Sequence, residues 1–169
     1  MESLQELINE YQQQLKTGKM QKAYQGLMAY IMSLRTHFMN KYPDHFVSGS
    51  IYQGYMDMSY FSFVPESLKR RKLKPAIVFV HDELRFEIWL AAYNKQMQSK
   101  YWKIIKESGW DQYPIVSTIQ GADSIIGNVL VENPDFDDLD ALTTQIETGV
   151  LEFIDHVERF LVTVETSAK

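Results

Sequence analysis

The residues best suited to binding chemistry lie in one stretch of the chain, Leu84 to Leu90. Side chains alternate along a β-strand, so a strand here would place Arg85, Glu87 and Trp89 on one face. The opposite face would be wholly apolar: Leu84, Phe86, Ile88 and Leu90. A guanidinium, a carboxylate and an indole side by side can hold a ligand by ion pairing, hydrogen bonding and stacking. We therefore expect a binding surface on the first face and core packing on the second.

A second carboxylate of interest is Asp57, in the aromatic stretch Tyr55 to Val64. On a strand it would share a face with aromatic residues, where an unpaired carboxylate is costly, so it needs a partner. Arg85 is the partner we expect if the two strands are neighbours. The predicted ligand-binding residues are therefore Tyr55, Asp57, Arg85, Glu87, Trp89, Tyr93 and Lys95, the last two completing the rim. A purely structural Asp–Arg pair is the commoner use of such residues.

Known catalytic and metal-binding signatures are not found in the chain. His37, His45, His81 and His156 are scattered at no ligand spacing, and the lack of cysteine excludes thiol nucleophiles and zinc–thiolate sites. The acidic run 133–140, NPDFDDLD, lacks the glycine and closing glutamate of an EF-hand, and is typical of a capped first helical turn. We expect no metal and no cofactor.

The sequence favours a non-catalytic module that binds a small ligand or a protein. The alternative is a small hydrolase-like or nuclease-like enzyme acting on a small or phosphorylated substrate, with Asp57 or Glu87 as acid or base and Lys95 or Arg85 holding the anion. A magnesium nuclease would carry Glu-x-Lys on the second strand, and Trp89 stands where that lysine is needed. The ligand, the partner and a homodimer are left open.

Composition and charge limit the partners and the cellular location that we expect for the protein. The formal charge of −5 argues against a general nucleic-acid binder, and the basic cluster Lys69 to Lys74 has no interleaved aromatic residues. No run of about eighteen apolar residues could cross a bilayer, and Met1 to Leu15 is too polar for a signal peptide. We expect a soluble cytoplasmic protein.

The elements that position the candidate residues begin with a hairpin. Ala76 to Val80 and Leu84 to Leu90 read as strands joined by the polar turn His81 to Glu83. Tyr55 to Val64 reads as a third strand, with Phe46 to Tyr52 either pairing with it or continuing into it. Tyr113 to Ile119 is predicted as an edge strand. Asp123 to Val131 suits helix or strand, and we favour a short helix.

Helical spacing of apolar residues predicts the other elements. A helix from about Leu4 to Leu15 should pair with a second from Lys19 to Lys41, in which Gly26 is explained by close packing. A third helix should start at the cap Asn94 and reach about Glu107. The last should run from Leu139 almost to the C-terminus.

These elements predict an α+β fold and a single domain over residues 1–169. An antiparallel sheet of about four strands would be covered by the N-terminal helical pair, a middle helix and a long C-terminal helix. The stretches MSLRTHFMNKYP, GYMDMSYFSF, SLKRRKLKPAIVFVH and RFEIWLAAYNKQMQSKYW resemble a family of small bacterial proteins classed as a domain of unknown function. The resemblance implies a bacterial intracellular single domain, and it carries over no activity or site because none is assigned to that family.

Overall fold

The centre of the protein is an antiparallel sheet of five strands that are neighbours in chain order. A computed structural model describes residues 1–168. The strands are β1 Phe46–Val47, β2 Met58–Val64, β3 Leu73–Val80, β4 Arg85–Ala92 and β5 Ile126–Glu132. Each strand pairs antiparallel with the next one along the chain, and the connections range from the tight turn between β3 and β4 to the long segment 93–125 between β4 and β5.

Within residues 1–168, five helices accompany the sheet: α1 Leu4–Leu15, α2 Lys19–Lys41, α3 Glu66–Arg70, α4 Lys95–Ser108 and α5 Leu139–Ser167. The predicted α+β class is therefore confirmed, with five strands in place of about four. Local sequence fixes several helix starts: Asn94 accepts from the amide of Met97, and Asp138 accepts from that of Ala141. Within the described residues, no helix combines the length and apolar character that crossing a bilayer requires.

One face of the sheet carries the core. Alternate residues of β2, β3 and β4 are almost completely buried on that face: Phe61, Phe63, Ile77, Phe79, Phe86, Ile88 and Leu90. Phe38 of α2 packs on Phe63 with ring centroids 4.8 Å apart, and α5 contributes Val150, Phe153 and Val157 to the same cluster. The predicted alternation of the hairpin is thus confirmed for Phe86, Ile88 and Leu90.

The prediction for the segment after α4 is wrong. Tyr113 to Ile119 is not a strand, and only an isolated bridge joins Ile115 to Ile126. Tyr113 is buried because its ring packs on Phe153 and its hydroxyl bonds to Nδ1 of His156 at 2.6 Å. An irregular segment can thus bury aromatic and branched side chains, which on the sequence look like a strand.

The edge strand is instead β5, in the segment we expected to be a short helix. Ile126 to Glu132 pairs with β4 over most of its length, with one irregularity between Phe86 and Glu87. The β-branched residues of this segment favour a strand, and the unpaired edge of β4 gives that strand a hydrogen-bonding partner.

Two predicted strand starts also lie outside the strands. Met56, with φ of 63°, interrupts the extended backbone, so β2 begins at Met58 and excludes Tyr55 and Asp57. Leu84, with φ of 48°, belongs to the turn before β4 and is 59% exposed, so it is no part of the core face. Of the open alternatives upstream, pairing is what occurs: Phe46 lies opposite Val64, and Tyr52 opposite Tyr60.

The N-terminal helices differ from the expected packed pair. Helix α1 contacts α2 but has no buried residue. Gly26 makes no close packing contact, since a Cβ built on it would have nothing within 4 Å. The packing explanation for Gly26 is therefore wrong.

Candidate ligand-binding site

The face of the sheet opposite the core carries a cavity of about 290 Å³. Its floor is made of small or buried side chains from adjacent strands: Ser62 of β2, Ala76 and Val78 of β3, and Ala91 of β4. Larger residues stand on either side, Tyr60 on β2 and Trp89 on β4. Ser62, Ala76 and Trp89 are lateral partners in the register, so the space exists because two small side chains lie beside an indole.

The cationic side of the cavity is formed by Lys74 and Lys95. Lys74 lies on β3 with its ammonium 5.4 Å from the ring centroid of Tyr93. Lys95 is the first residue of α4, which begins directly after β4 and so returns to the same end of the sheet. The Lys74 ammonium beside the Tyr93 ring, together with the Lys95 ammonium, gives the cavity the chemistry of a site for an anion with a planar part.

The fixed polar wall of the cavity comes from Gln98 on α4. Its Oε1 accepts from the amide of Ala92 at 3.0 Å, and its Nε2 donates to the carbonyl of Ala122 at 2.8 Å. This side chain therefore ties α4 to β4 and to the loop that precedes β5. Both polar atoms of the Gln98 amide are bonded to backbone, so this side chain shapes the cavity. The cationic groups available to a ligand are then the ammonium groups of Lys74 and Lys95.

Tyr60 forms the opposite wall. Its ring stacks on Tyr52 with centroids 4.9 Å apart. Burial raises the pKa of the Tyr60 hydroxyl, and the charges of Tyr52 and Asp123 act in the same direction. The hydroxyl is accordingly protonated at neutral pH and can donate a hydrogen bond to a bound anion.

The predicted row on β4 is present and internally bonded. Arg85 Nε donates to Glu87 Oε2 at 3.1 Å, and Trp89 Nε1 donates to Glu87 Oε1 at 3.3 Å. The contact with Glu87 is the main cause of a raised pKa for Arg85. Glu87 thus holds both neighbours in place, and Trp89 separates the cavity from a shallower groove along β5.

Tyr55 and Asp57 lie away from this row. Strand β3 separates β2 from β4, so the ends of the two strands nearest Asp57 and Arg85 are two strand spacings, about 10 Å, apart. Asp57 accepts from the amide of Tyr55 at 2.9 Å, and bonds from the amides of Tyr55 and Met58 lower its pKa. The expected Asp57–Arg85 pair is not formed, because the backbone of its own turn satisfies the carboxylate. Tyr55 itself is 93% exposed.

Ser59 and His81 form a contact that resembles a nucleophile with its base. Ser59 Oγ lies 2.9 Å from His81 Nε2, but it also donates to the carbonyl of Gln53 at 2.8 Å and is fully buried. The hydroxyl has one proton, so Nε2 must carry its own and donate to Ser59. Burial lowers the pKa of His81, which is neutral in this pair. The contact holds the Gln53–Ser59 turn and does not activate a nucleophile.

The most strongly bonded carboxylate is Glu147 of α5, where the helix crosses α2. It receives His37 Nε2 and Lys41 Nζ, both at 2.7 Å, and the hydroxyl of Tyr42. Burial would raise the pKa of Glu147, but the donors Lys41, Tyr42 and His37 outweigh it and lower the pKa to about 2. Burial and the same contact raise the pKa of Tyr42 to about 12. This cluster fastens α2 to α5.

Sequence reasoning found part of the cavity and missed the rest. Trp89 and Lys95 line it, and Tyr93 touches it through Lys74. Tyr60, Lys74 and Gln98 were not predicted. Strand alternation from Trp89 across the hairpin turn would have placed Lys74 on the same face, whereas Gln98 gave no signal because its role depends on loop 109–125. In residues 1–168, no three side chains of His, Asp or Glu come together as metal ligands would.

The fold and site define a class: an α+β protein whose five-stranded antiparallel sheet has a core on one face and a ligand-sized cavity on the other. The chain belongs to the family described as a domain of unknown function (DUF7000), whose model matches residues 4–161. The expected family resemblance is thereby confirmed. Comparison with curated proteins gave no match. Comparison with solved structures gave none either.

Proposed function

We propose that the protein is a non-catalytic module that binds a small organic anion in the sheet cavity. The observation that carries the proposal is the pair Lys74 and Lys95 facing a cavity walled by Tyr60 and Trp89. The volume of about 290 Å³ is at the lower end of the range for small-molecule sites, which favours a compact ligand. A planar group would stack on the indole while its carboxylate or phosphate meets the ammonium groups.

A binding role has more support than catalysis in this geometry. Glu87 is held by Arg85 and Trp89, and Asp57 is held by backbone amides outside the cavity. Asp123 lines the cavity but raises the pKa of Tyr60, the reverse of what would activate that hydroxyl as a base. A bacterial origin and a cytoplasmic location are part of the proposal, and both stay predictions from the sequence.

Isothermal titration calorimetry with four probes tests the proposal. Phenyl phosphate and benzoate combine a ring with an anion, benzyl alcohol has only the ring, and inorganic phosphate has only the charge. We expect the two aromatic anions to bind more tightly than either partial probe, because only they can both stack on Trp89 and pair with the lysine ammonium groups. No binding of any aromatic anion would refute the proposed ligand class.

Substitutions place the binding in this cavity. Lys74→Gln and Lys95→Gln should each weaken phenyl phosphate binding about tenfold, the loss expected for one charge-assisted hydrogen bond. Lys103→Gln is the matched control, since it removes the same charge from an exposed position on α4 that does not line the cavity. Equal weakening by the control would show that the anion responds to overall charge, and the cavity would lose its assignment.

A further inference from the structure

Helix α1 is well formed although none of its residues is buried. Ser3 and Glu6 make a capping box, and the side chains of Gln5 and Asn9 bond along one face. Its apolar stripe is nonetheless between half and three quarters exposed: Leu4, Leu7, Ile8 and Tyr11. A helix of 12 residues is marginal by itself and is normally stabilised by burying its apolar face. The stripe therefore lacks a packing partner.

The same chain carries an apolar groove of about 500 Å³ beside the first half of α2. Phe79 closes its inner end, while Leu84, Phe136 and Leu139 project along its wall and are each about half exposed. The groove is on the core side of the sheet, whereas the cavity between Tyr60 and Trp89 is on the opposite side. Its lining has the chemistry of a site for the apolar side of a helix.

Gly26 lies in this groove. Glycine inside a helix costs roughly 1 kcal/mol relative to alanine, and no neighbour within the chain uses the space above it. Gly26 and Ala23, one turn earlier, form a part of the α2 surface without large side chains, where another helix could approach closely. An external helix would account for a residue that the single chain leaves unexplained.

The charges beside the two surfaces are complementary. Helix α1 and its leading residues carry Glu2, Glu6 and Glu10, whereas Lys22 of α2 lines the groove and Lys19 lies one helical turn before it. In the described part of the chain none of these five residues forms an ion pair. An α1 helix placed beside α2 would bring opposite charges together at the border of the apolar contact.

We infer that two copies of the chain dimerise by each placing α1 in the α2 groove of the other. Helix and groove are both on this chain, so a two-fold axis would satisfy them twice. The four apolar residues of α1 together with the exposed wall of the groove can bury roughly the 800 Å² per partner that a stable interface needs. A second copy thus covers both unpartnered surfaces without any other component.

Sedimentation velocity over a concentration series, on the full chain, measures the association. We expect a reversible dimer in the wild type. Ile8→Asp on α1 should raise the dissociation constant at least about tenfold by placing a charge in the apolar contact. Leu84→Asn should act likewise from the groove side, and asparagine suits the positive φ of that position. Val162→Asp, at a similarly exposed apolar residue of α5, is the control and should leave the dissociation constant unchanged.

A further variant separates loss of association from loss of folding. Gly26→Glu improves the helix propensity of α2 while filling the groove, so the thermal midpoint of the monomer should stay level or rise as dimerisation is lost. A monomeric wild type throughout the series would overturn the inference. So would a dimer that survives both Gly26→Glu and Leu84→Asn, since α1 would then be pairing with something other than the groove.

Discussion

The indole of Trp89 lies against the backbone of Gly127, its register partner on β5. A Cβ on Gly127 would stand 3.1 Å from Trp89 Cδ1 and 3.3 Å from the carbonyl oxygen of Ile88. The wall of the cavity is therefore positioned by the edge strand, which pairs with β4 and offers no side chain at the point of contact.

Gly127→Val should displace the indole and destabilise the fold. Because one of the close atoms is backbone, the strand itself must shift, and overpacking of this kind costs about 1–3 kcal/mol. Urea unfolding measures the loss, and tryptophan fluorescence, to which Trp89, Trp102 and Trp110 all contribute, should change when the Trp89 indole moves. Gly49→Ala, where a Cβ meets nothing within 4 Å, should leave both measurements unchanged. An unaltered emission spectrum for Gly127→Val would show that the glycine does not position Trp89.

Glu147→Gln should lower the free energy of unfolding by about 1–3 kcal/mol. The change leaves His37, Lys41 and Tyr42 facing a neutral amide at a buried position. Asp155→Asn is the comparison, since it removes an exposed helical ion pair with Arg159 that should contribute less than about 0.5 kcal/mol. Similar losses for the two variants would mean that the Glu147 cluster does little to fasten α2 to α5.

The same cluster predicts how stability depends on pH. The folded pKa of Glu147, about 2, lies below its ordinary 4.5, so its contribution is complete above pH 4.5 and is lost as the pH falls towards 2. The folded pKa of Tyr42, about 12, lies above its ordinary 10, so its contribution is complete below pH 10 and is lost as the pH rises towards 12. Urea titrations should show the gap between wild type and Glu147→Gln narrowing on the acid side. A gap that is constant down to pH 2 would contradict the lowered pKa.

Lys72→Gly should stabilise the protein by up to about 1 kcal/mol. Lys72 follows α3 with φ of 58°, a conformation that costs a residue with a Cβ about 1–2 kcal/mol and does not strain glycine. Part of this gain is offset because glycine loses more conformational entropy on folding. Arg70→Gly, within α3, should instead destabilise by about 1 kcal/mol, because the helical backbone favours side chains there. Thermal and urea unfolding compare the two. The same sign for both would refute the assignment of strain to Lys72.

The elements that the sequence predicted well depend on near neighbours along the chain. The alternation of Phe86, Ile88 and Leu90, the cap at Asn94 and the long stripe of α5 are short-range patterns with direct conformational consequences. Where prediction failed, the deciding contact was distant. The edge strand is β5 because β4 had an unpaired side, and Tyr113 resembled a strand residue because α5 buries it.

The candidate site divides in the same way. The sequence by itself determined that Arg85, Glu87 and Trp89 share a face, since alternation is a property of any strand. Only the tertiary structure decided that β3 separates Asp57 from Arg85, that Lys74 and Tyr60 meet Trp89 across a floor of small residues, and that the apolar stripe of α1 is left largely exposed. Strand order and helix packing minimise the free energy of the whole chain, so no local pattern records them.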